Sequence, residues 1–500
     1  MNKIKIISLV ALIFGIISCG KDFDDINIDP NNPSAVPVEY LLTAAEKDLA
    51  AVTTGFYIEP LLAQYFSLNN YTEPSRYLLP PPYSNMGYFY AGPLKDLKEI
   101  IEVVSTSADA GSPKSQNQIA IARVLMAYAF HNVTDIFGPV PYTDALLGDQ
   151  NRTPKWDSQK DIYFGILQEL NAAVAQMDES AGSFNSGDII FHGDVGKWKK
   201  FARSLTLRVA MRMSDVEPAT AQAEVEAAAA FAMSGNGDNA YFRYLPGQPN
   251  NNPWHQWRVL GGDANIGVSN ILIDKTLKPL ADPRLPFFAD ERVNGGGYIG
   301  RPFGQTSEVA ASEYPDEYSQ PSGAAAVRSG IPFKPTDVAS PEFPAIFMRY
   351  AEVCFLLAEA KERGWNVPGS SAKEWFDAGI TASMNEWGVS DPAVIAAYLA
   401  QDSVDYDKAP GGWKQKIGVQ KWIAQYMQAT EAWTEWRRLD FEKLELPVGG
   451  ALMDLGGKPA PSRLLYPANE QTQNAVGYQQ GLSLLGGPDK LSTRLWWDVN

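Results

Sequence analysis

At 500 residues the chain can hold one large domain or two to three ordinary ones. Its 58 acidic and 42 basic residues give a formal charge of −16, without the basic footprint that binding to phosphate backbones needs, so nucleic acid is set aside as a partner. With two cysteines, Cys19 and Cys354, and only the second in the main body of the chain, a disulfide framework is excluded.

In chain order, Met1-Asn2-Lys3-Ile4-Lys5 precedes an apolar run from Ile6 to Ile17. A membrane-crossing helix needs about 20 apolar residues, more than this run provides. A basic start, a short apolar centre and a small residue at Ser18 match a secretory signal over residues 1–18. The order Ile16-Ile17-Ser18-Cys19 resembles a bacterial lipobox, which predicts that the Cys19 thiol is acylated. Each buried CH₂ of such chains contributes about 0.8 kcal/mol, so several chains on one residue hold a protein to a membrane almost permanently. Residues 19–37 are polar, acidic and proline-marked, the composition of a tether, and residues 38–500 form the main domain.

Helical patterns then follow one another. "EYLLTAAEKDLAAV" opens the series, and "SQNQIAIARVLMAYAFHNVTDIFG" is apolar on nearly every face, a buried helix stopped at Gly138-Pro139. Ile162, Ile166, Leu170, Ala173 and Met177 share one stripe, as do Trp198, Ala202, Leu205, Val209 and Met213. Pro218 suits the first turn of an alanine-rich helix. Later, "PAIFMRYAEVCFLLAEAKERG" reads as a helix ending at Gly364, "AKEWFDAGITASMNEWGV" as its partner, and "KIGVQKWIAQYMQATEAWTEWRRL" as one long helix. Helix pairs with small residues at their contacts predict an all-α, tetratricopeptide-like superhelix, and no alternating run is long enough for a substantial sheet. Between the two sets, about Gly235 to Pro344, lies a stretch dense in Gly, Pro, Asn and aromatics, expected to form ordered loops bearing ligand contacts.

The catalytic inventory is thin. His131, His192 and His255 are far apart, and no HExxH, Cys/His metal spacing or Gly-x-Ser-x-Gly elbow occurs. "GNGDNA" from Gly235 follows a helix rather than a strand, the wrong context for a dinucleotide site. An α-fold glycoside hydrolase, which needs two opposed carboxylates, is the alternative from another class, though among so many acids a conceivable pair carries little weight. Asp402, Asp405 and Asp407 offer hard oxygens for a structural calcium ion but lack the glycine and terminal glutamate of an EF-hand, so a solvated acidic loop is favoured. Cys354 lies on the apolar side of a helix and reads as a core thiol.

Several stretches together resemble one family. "FDDINIDPNNPSAVPVEYLLTAAE", "AGPLKDLKEII", "DIFGPVPYTDAL", "KWKKFARSLTLRVAMR", "DPRLPFF" and "YIGRPFG" are similar, in order, to the SusD/RagB outer-membrane nutrient-binding lipoproteins, within them to a second SusD-like subfamily. "EVCFLLAEAKERGW", "QKWIAQYMQATEAWTEWRRLDF", "SRLLYPANEQTQN" and "LSTRLWWD" extend the resemblance to the last residues. The resemblance implies a helical scaffold with a loop-rich ligand face and no enzymatic activity. It further implies a place on the outer leaflet, facing the exterior and anchored to outer-membrane lipid through acylated Cys19. There the protein would be the lid of a SusC-like TonB-dependent barrel, delivering an oligosaccharide or, alternatively, a peptide for import. No cofactor is implied.

A sugar site needs exposed aromatic planes with polar groups at the rim. Two regions have that mixture: Asn70, Tyr71, Arg76, Tyr77, Tyr83 and Tyr88, and Asn252, Trp254, His255, Trp257, Arg258 and Asp263, with Tyr298 and Arg301 placed to close the site. Trp254 and Trp257 lead, followed by Tyr77 and Tyr83; most of the 22 Tyr, 22 Phe and 13 Trp must fill the core. Trp433 and Trp436 are read as core or barrel-facing contacts, and Asp498 as capturing a nearby arginine.

Overall fold

The computed structural model describes residues 36–53, 58–81, 86–262 and 265–499. The expected signal segment 1–18, Cys19 and nearly all of the expected tether therefore lie outside the described residues. No helix among the described residues is long and apolar enough to cross a membrane.

Two sets of helices carry the architecture. The first comprises α1 (Val38–Thr53), α2 (Lys95–Thr106), α3 (Pro113–Phe137), α4 (Gln159–Gln176), α5 (Val195–Arg212) and α6 (Pro218–Ala228). The second comprises α7 (Tyr350–Glu362), α8 (Ala372–Glu386), α9 (Pro392–Leu399), α10 (Trp413–Ala424), α11 (Ala429–Leu439) and α12 (Ala475–Leu485). Sequence neighbours pack on one another from α2 through α6, and again at α7–α8 and α10–α11. Contacts of α5 with α7 join the two sets, and α7 also packs on α10 within the second. The result is the predicted all-α array of tetratricopeptide-like helix pairs.

Local chemistry explains the boundaries. Ser112, Ser158, Asp194 and Ser371 each accept a backbone N–H in the first turn of α3, α4, α5 and α8, and Pro113 and Pro218 occupy first-turn positions where no N–H is needed. From Val133 to Phe137 every residue of α3 is buried, as its all-round apolar pattern demands, and Gly138 ends the helix with φ +92. The stripes of α4 and α5 lie in the core throughout.

Two helices predicted from sequence are revised. In "PAIFMRYAEVCFLLAEAKERG" the helix starts only at Tyr350, because Ala345–Met348 forms strand β4, paired antiparallel with β2 (Ala240–Phe242). The continuous helix expected from Lys416 to Leu439 is broken between α10 and α11, where Met427 takes φ +67. Arg349 makes the break possible: its Nη1 donates to the Ala424 and Tyr426 carbonyls, both at 2.9 Å, satisfying acceptors that a continuing helix would have used. The other sheet pairs β1 (Phe66–Leu68) with β3 (Ile266–Val268).

A buried ionic network welds α3, α5, α7, α10 and α11. Arg208 binds Glu352 through two nitrogens at 2.6 and 2.7 Å. Arg212 reaches Glu431 at 2.6 Å, bonds Glu435, and lies 3.3 Å from Asp135. Arg438 bonds Glu359 at 2.6 Å and Glu435 at 2.7 Å, and Lys421 sits 2.9 Å from Glu435. Burial alone would raise the Glu431 carboxyl, but Arg212 and Arg208 outweigh it and hold it at about 2.

Cys354 is buried and free, its thiol pushed up by burial to about 12, so it is a core residue. Trp433 and Trp436 also belong to the core. Asp498 pairs directly with Lys458 at 3.4 Å, and Arg437, which stacks on Trp433 and Trp497, acts on it only through its charge. Asp402, Asp405 and Asp407 are engaged by lysines, Lys408 at 3.1 Å from the first and Lys373 at 2.8 and 3.9 Å from the others.

Candidate functional site

The two candidate regions, almost two hundred residues apart, are brought together by the β1–β3 pair. Its register sets Phe66 opposite Val268 and Leu68 opposite Ile266, and Asn69 extends it by donating to the Asn265 carbonyl at 2.9 Å. The segment after Tyr298 completes this mat. Arg301 N–H donates to Val268 at 2.8 Å, Asn270 donates back to Arg301 at 2.8 Å, and Val268 donates to Ser319 at 2.9 Å. Gly300 is required here: a Cβ would lie 2.4 Å from the Asn270 Cα. The "YIGRPFG" stretch is thus a backbone-packing motif.

Tyr71 projects from the first region, 78 % exposed, on a backbone at φ +50. The next residue, Thr72, lies 3.2 Å (Oγ1 to Oγ) from Ser307, which also donates to Glu73 at 3.2 Å. This contact draws the short helix Ser307–Ser312 alongside, and the chain leaves it through Glu313 and Tyr314, the latter 74 % exposed. Tyr314 escaped sequence reasoning; its signal was the aromatic–acidic run "EYPDEYSQ".

The second region begins with Pro253–His255, whose N-terminus is capped by Asn252 accepting from Trp254 N–H at 2.6 Å, and continues as a π-helical turn, Gln256–Leu260. Trp257 is half-buried, edge-on to Trp254 with ring centroids 5.8 Å apart. Arg258 donates to the Gln320 side chain, whose amide nitrogen donates to Pro315 O at 3.4 Å. Trp257, Arg258, Gln320 and the Tyr314–Pro315 loop are thereby linked, and the Thr72–Ser307 contact ties the Tyr71 segment to the short helix that precedes Tyr314.

Other candidates lie deeper. Trp254 is 5 % exposed and packs against Phe66 at 5.2 Å. It forms one wall of a 210 Å³ cavity with Tyr244, Phe343, Pro344 and Met427. Tyr77 is fully buried; its phenol accepts from Gln64 Nε2 at 2.9 Å, and burial holds its pKa above the usual tyrosine range. Arg76 is tied to the carbonyls of Gly449 and Gly450, at 2.6 and 3.0 Å. Arg301 is fully buried, 4.8 Å over the Tyr318 ring, and donates to Ala310 O at 3.0 Å. Tyr77 and Arg301 are thus turned inward, while Arg76 is half-buried with its guanidinium bonded to backbone carbonyls. His255 is also inside, with Nδ1 2.9 Å from Ala339 O. Tyr298 is half-buried, its phenol pKa raised by that burial. Tyr88 is exposed on a separate helical turn, Met86–Phe89. Tyr83 and Asp263 lie outside the described residues.

The mat therefore presents half-buried and exposed aromatic planes beside amide, guanidinium and carboxylate groups. Such a surface stacks on the apolar face of a ring and hydrogen-bonds its edges. Within the ionic network, arginine and lysine hold the Glu431 and Glu435 carboxyls below the usual carboxylate range against the effect of burial.

Comparison with curated proteins returns no match. The solved structures are informative. A chitin-binding protein superposes with a TM-score of 0.78 at 28 % identity, covering 93 % of this chain and 100 % of the other. A SusD homolog from Parabacteroides distasonis gives 0.78 at 26 % identity, covering 93 % and 97 %. A chitin-binding SusD homolog from Flavobacterium johnsoniae gives 0.75 at 25 % identity, covering 92 % and 99 %. A family model described as starch-binding and associating with the outer membrane matches residues 30–467. The chain belongs to the SusD-like family.

Proposed function

We propose that this SusD-like chain is a cell-surface oligosaccharide-binding protein that captures its ligand on the Tyr71–Trp257–Tyr314 face. It delivers the ligand to a SusC-like TonB-dependent barrel while anchored to the outer membrane through acylated Cys19. The observation that carries the reading is that these three exposed or half-buried aromatic residues stand on segments tied to one backbone mat, with Arg258 bonded to Gln320 beside two of them. Chitin-binding relatives of the same fold support a glycan as ligand and make chitin oligosaccharides the first choice. Recognition works by stacking and hydrogen bonding, each aromatic contact contributing on the order of 1 kcal/mol, without covalent chemistry. Calorimetric titration of the intact chain with chitin, starch and peptide ligands tests it. Saturable binding of one glycan series, with no new reducing ends after long incubation, is the expected result. Binding of peptides alone, or steady release of reducing ends abolished by one carboxylate substitution, would overturn it.

A further inference from the structure

Away from the aromatic face, residues Lys275–Leu280, Ser403–Lys416 and Leu439–Lys443 enclose a trough of 780 Å³, large enough for a short oligosaccharide. Its apolar walls include Phe376, Val404 and Phe441. In a chain of charge −16 its side chains are unusual: four lysines, Lys275, Lys414, Lys416 and Lys443, face two acids, Asp440 and Glu442. Two of the lysines have other acidic partners, Lys275 bonding Glu445 and Lys414 lying 3.7 Å from Asp215. The other two are held by neutral oxygens. Lys416 Nζ donates to Tyr406 O at 2.7 Å, and Lys443 Nζ donates to Thr276 Oγ1 at 2.8 Å and Lys275 O at 3.1 Å. Among the described residues no carboxylate lies within salt-bridge distance of either.

Burial lowers the Lys443 ammonium to about 8, so its charge is held at a cost that a nearby anion would relieve. Lys414 and Lys416 also stand in the first turn of α10, which has no acidic residue and no side-chain cap. Cations there oppose the helix dipole. Lys416 and Lys443 are thus the two trough lysines without a carboxylate within salt-bridge distance among the described residues, with Glu445 acting on Lys443 only from farther off.

We propose that this trough is a second ligand site, taking an oligosaccharide that bears carboxylate or sulfate groups, with Lys416 and Lys443 as the residues that bind the anion. The site is independent of the aromatic face and goes beyond the function proposed for it. Titrations of the full chain with a short oligogalacturonate and with a short sulfated galactan oligosaccharide, at low and high salt, distinguish carboxylate from sulfate. Either anion is expected to bind saturably, weakening with salt, and to lose about tenfold in affinity in Lys416→Met and in Lys443→Met, about 1.4 kcal/mol. Lys416→Arg should retain most of the affinity, and Trp257→Ala should leave it unchanged while impairing neutral glycan binding. Thermal unfolding of each variant identifies any loss caused by misfolding, and Lys416→Met, at the trough edge, is expected to keep the wild-type midpoint. Absence of binding by both anionic probes, or affinity undiminished in Lys416→Met and Lys443→Met, would overturn the proposal.

Discussion

Single positions in this molecule are constrained by what touches them across the chain, rarely by their neighbours in sequence. Gly418 is an example: it lies in the middle of α10, where glycine weakens a helix, yet a Cβ there would fall 2.4 Å from the Phe441 ring. Gly418→Ala is therefore expected to destabilise the protein by about 1–3 kcal/mol through overpacking, despite better helix propensity, as read by chemical denaturation. Tyr77 and Trp254 show the same dependence. Their sequence surroundings have the aromatic and polar mixture of a sugar site, and burial alone separates them from Tyr71 and Trp257. Since burial is decided by distant segments, the aromatic composition of these two regions was legible in the sequence but which of their rings stay exposed was not.

At the scale of elements, legibility follows periodicity. α4 and α5 could be read because their apolar stripes face the core along their whole length, and α3 because its residues from Ala127 to Phe137 are buried on every face. The strand β4 could not, since four apolar residues before a helix continue its pattern equally well. Nor could the break between α10 and α11. Gln425, Met427 and Gln428 all favour helix, and the chain turns because Arg349, from a strand-to-helix junction, supplies donors to the free carbonyls. Arg349 also binds Glu386 at 2.6 Å. Arg349→Met is thus expected to cost about 3–5 kcal/mol, by uncapping α10 and leaving Glu386 largely buried without its partner. Hydrogen exchange should accelerate first at the amides of the bend; unchanged exchange there would contradict the capping role.

For the whole molecule, the ionic network makes acid the weak side of the stability profile. Glu431, held at about 2, lies below its usual 4.5, and its contribution is lost as pH falls from 4.5 toward 2. Burial lowers His131 from 6.5 to about 4, more than Asp135 can raise it, so the folded protein keeps the imidazole neutral. That contribution is complete above 6.5 and lost as pH falls to 4. Glu46, raised by burial and by Asp188, acts in the opposite sense: its contribution is present below 4.5 and declines as pH rises. Between pH 6.5 and 4.5 the His131 and Glu46 contributions oppose each other, so thermal midpoints should fall mainly below pH 4.5, and His131→Gln should remove the His131 loss above pH 4 while leaving the loss from Glu431 below it.

The same scaffold supports the aromatic face, and capture of an oligosaccharide there is the central claim. Its most direct measurement is calorimetric titration of chitin oligosaccharides into the wild-type chain, Trp257→Ala and Tyr71→Ala, at matched thermal stability. Saturable wild-type binding with a loss of about tenfold or more in each variant is the predicted result, since exposed aromatic anchors dominate such contacts. Equal affinity in all three proteins would contradict the account.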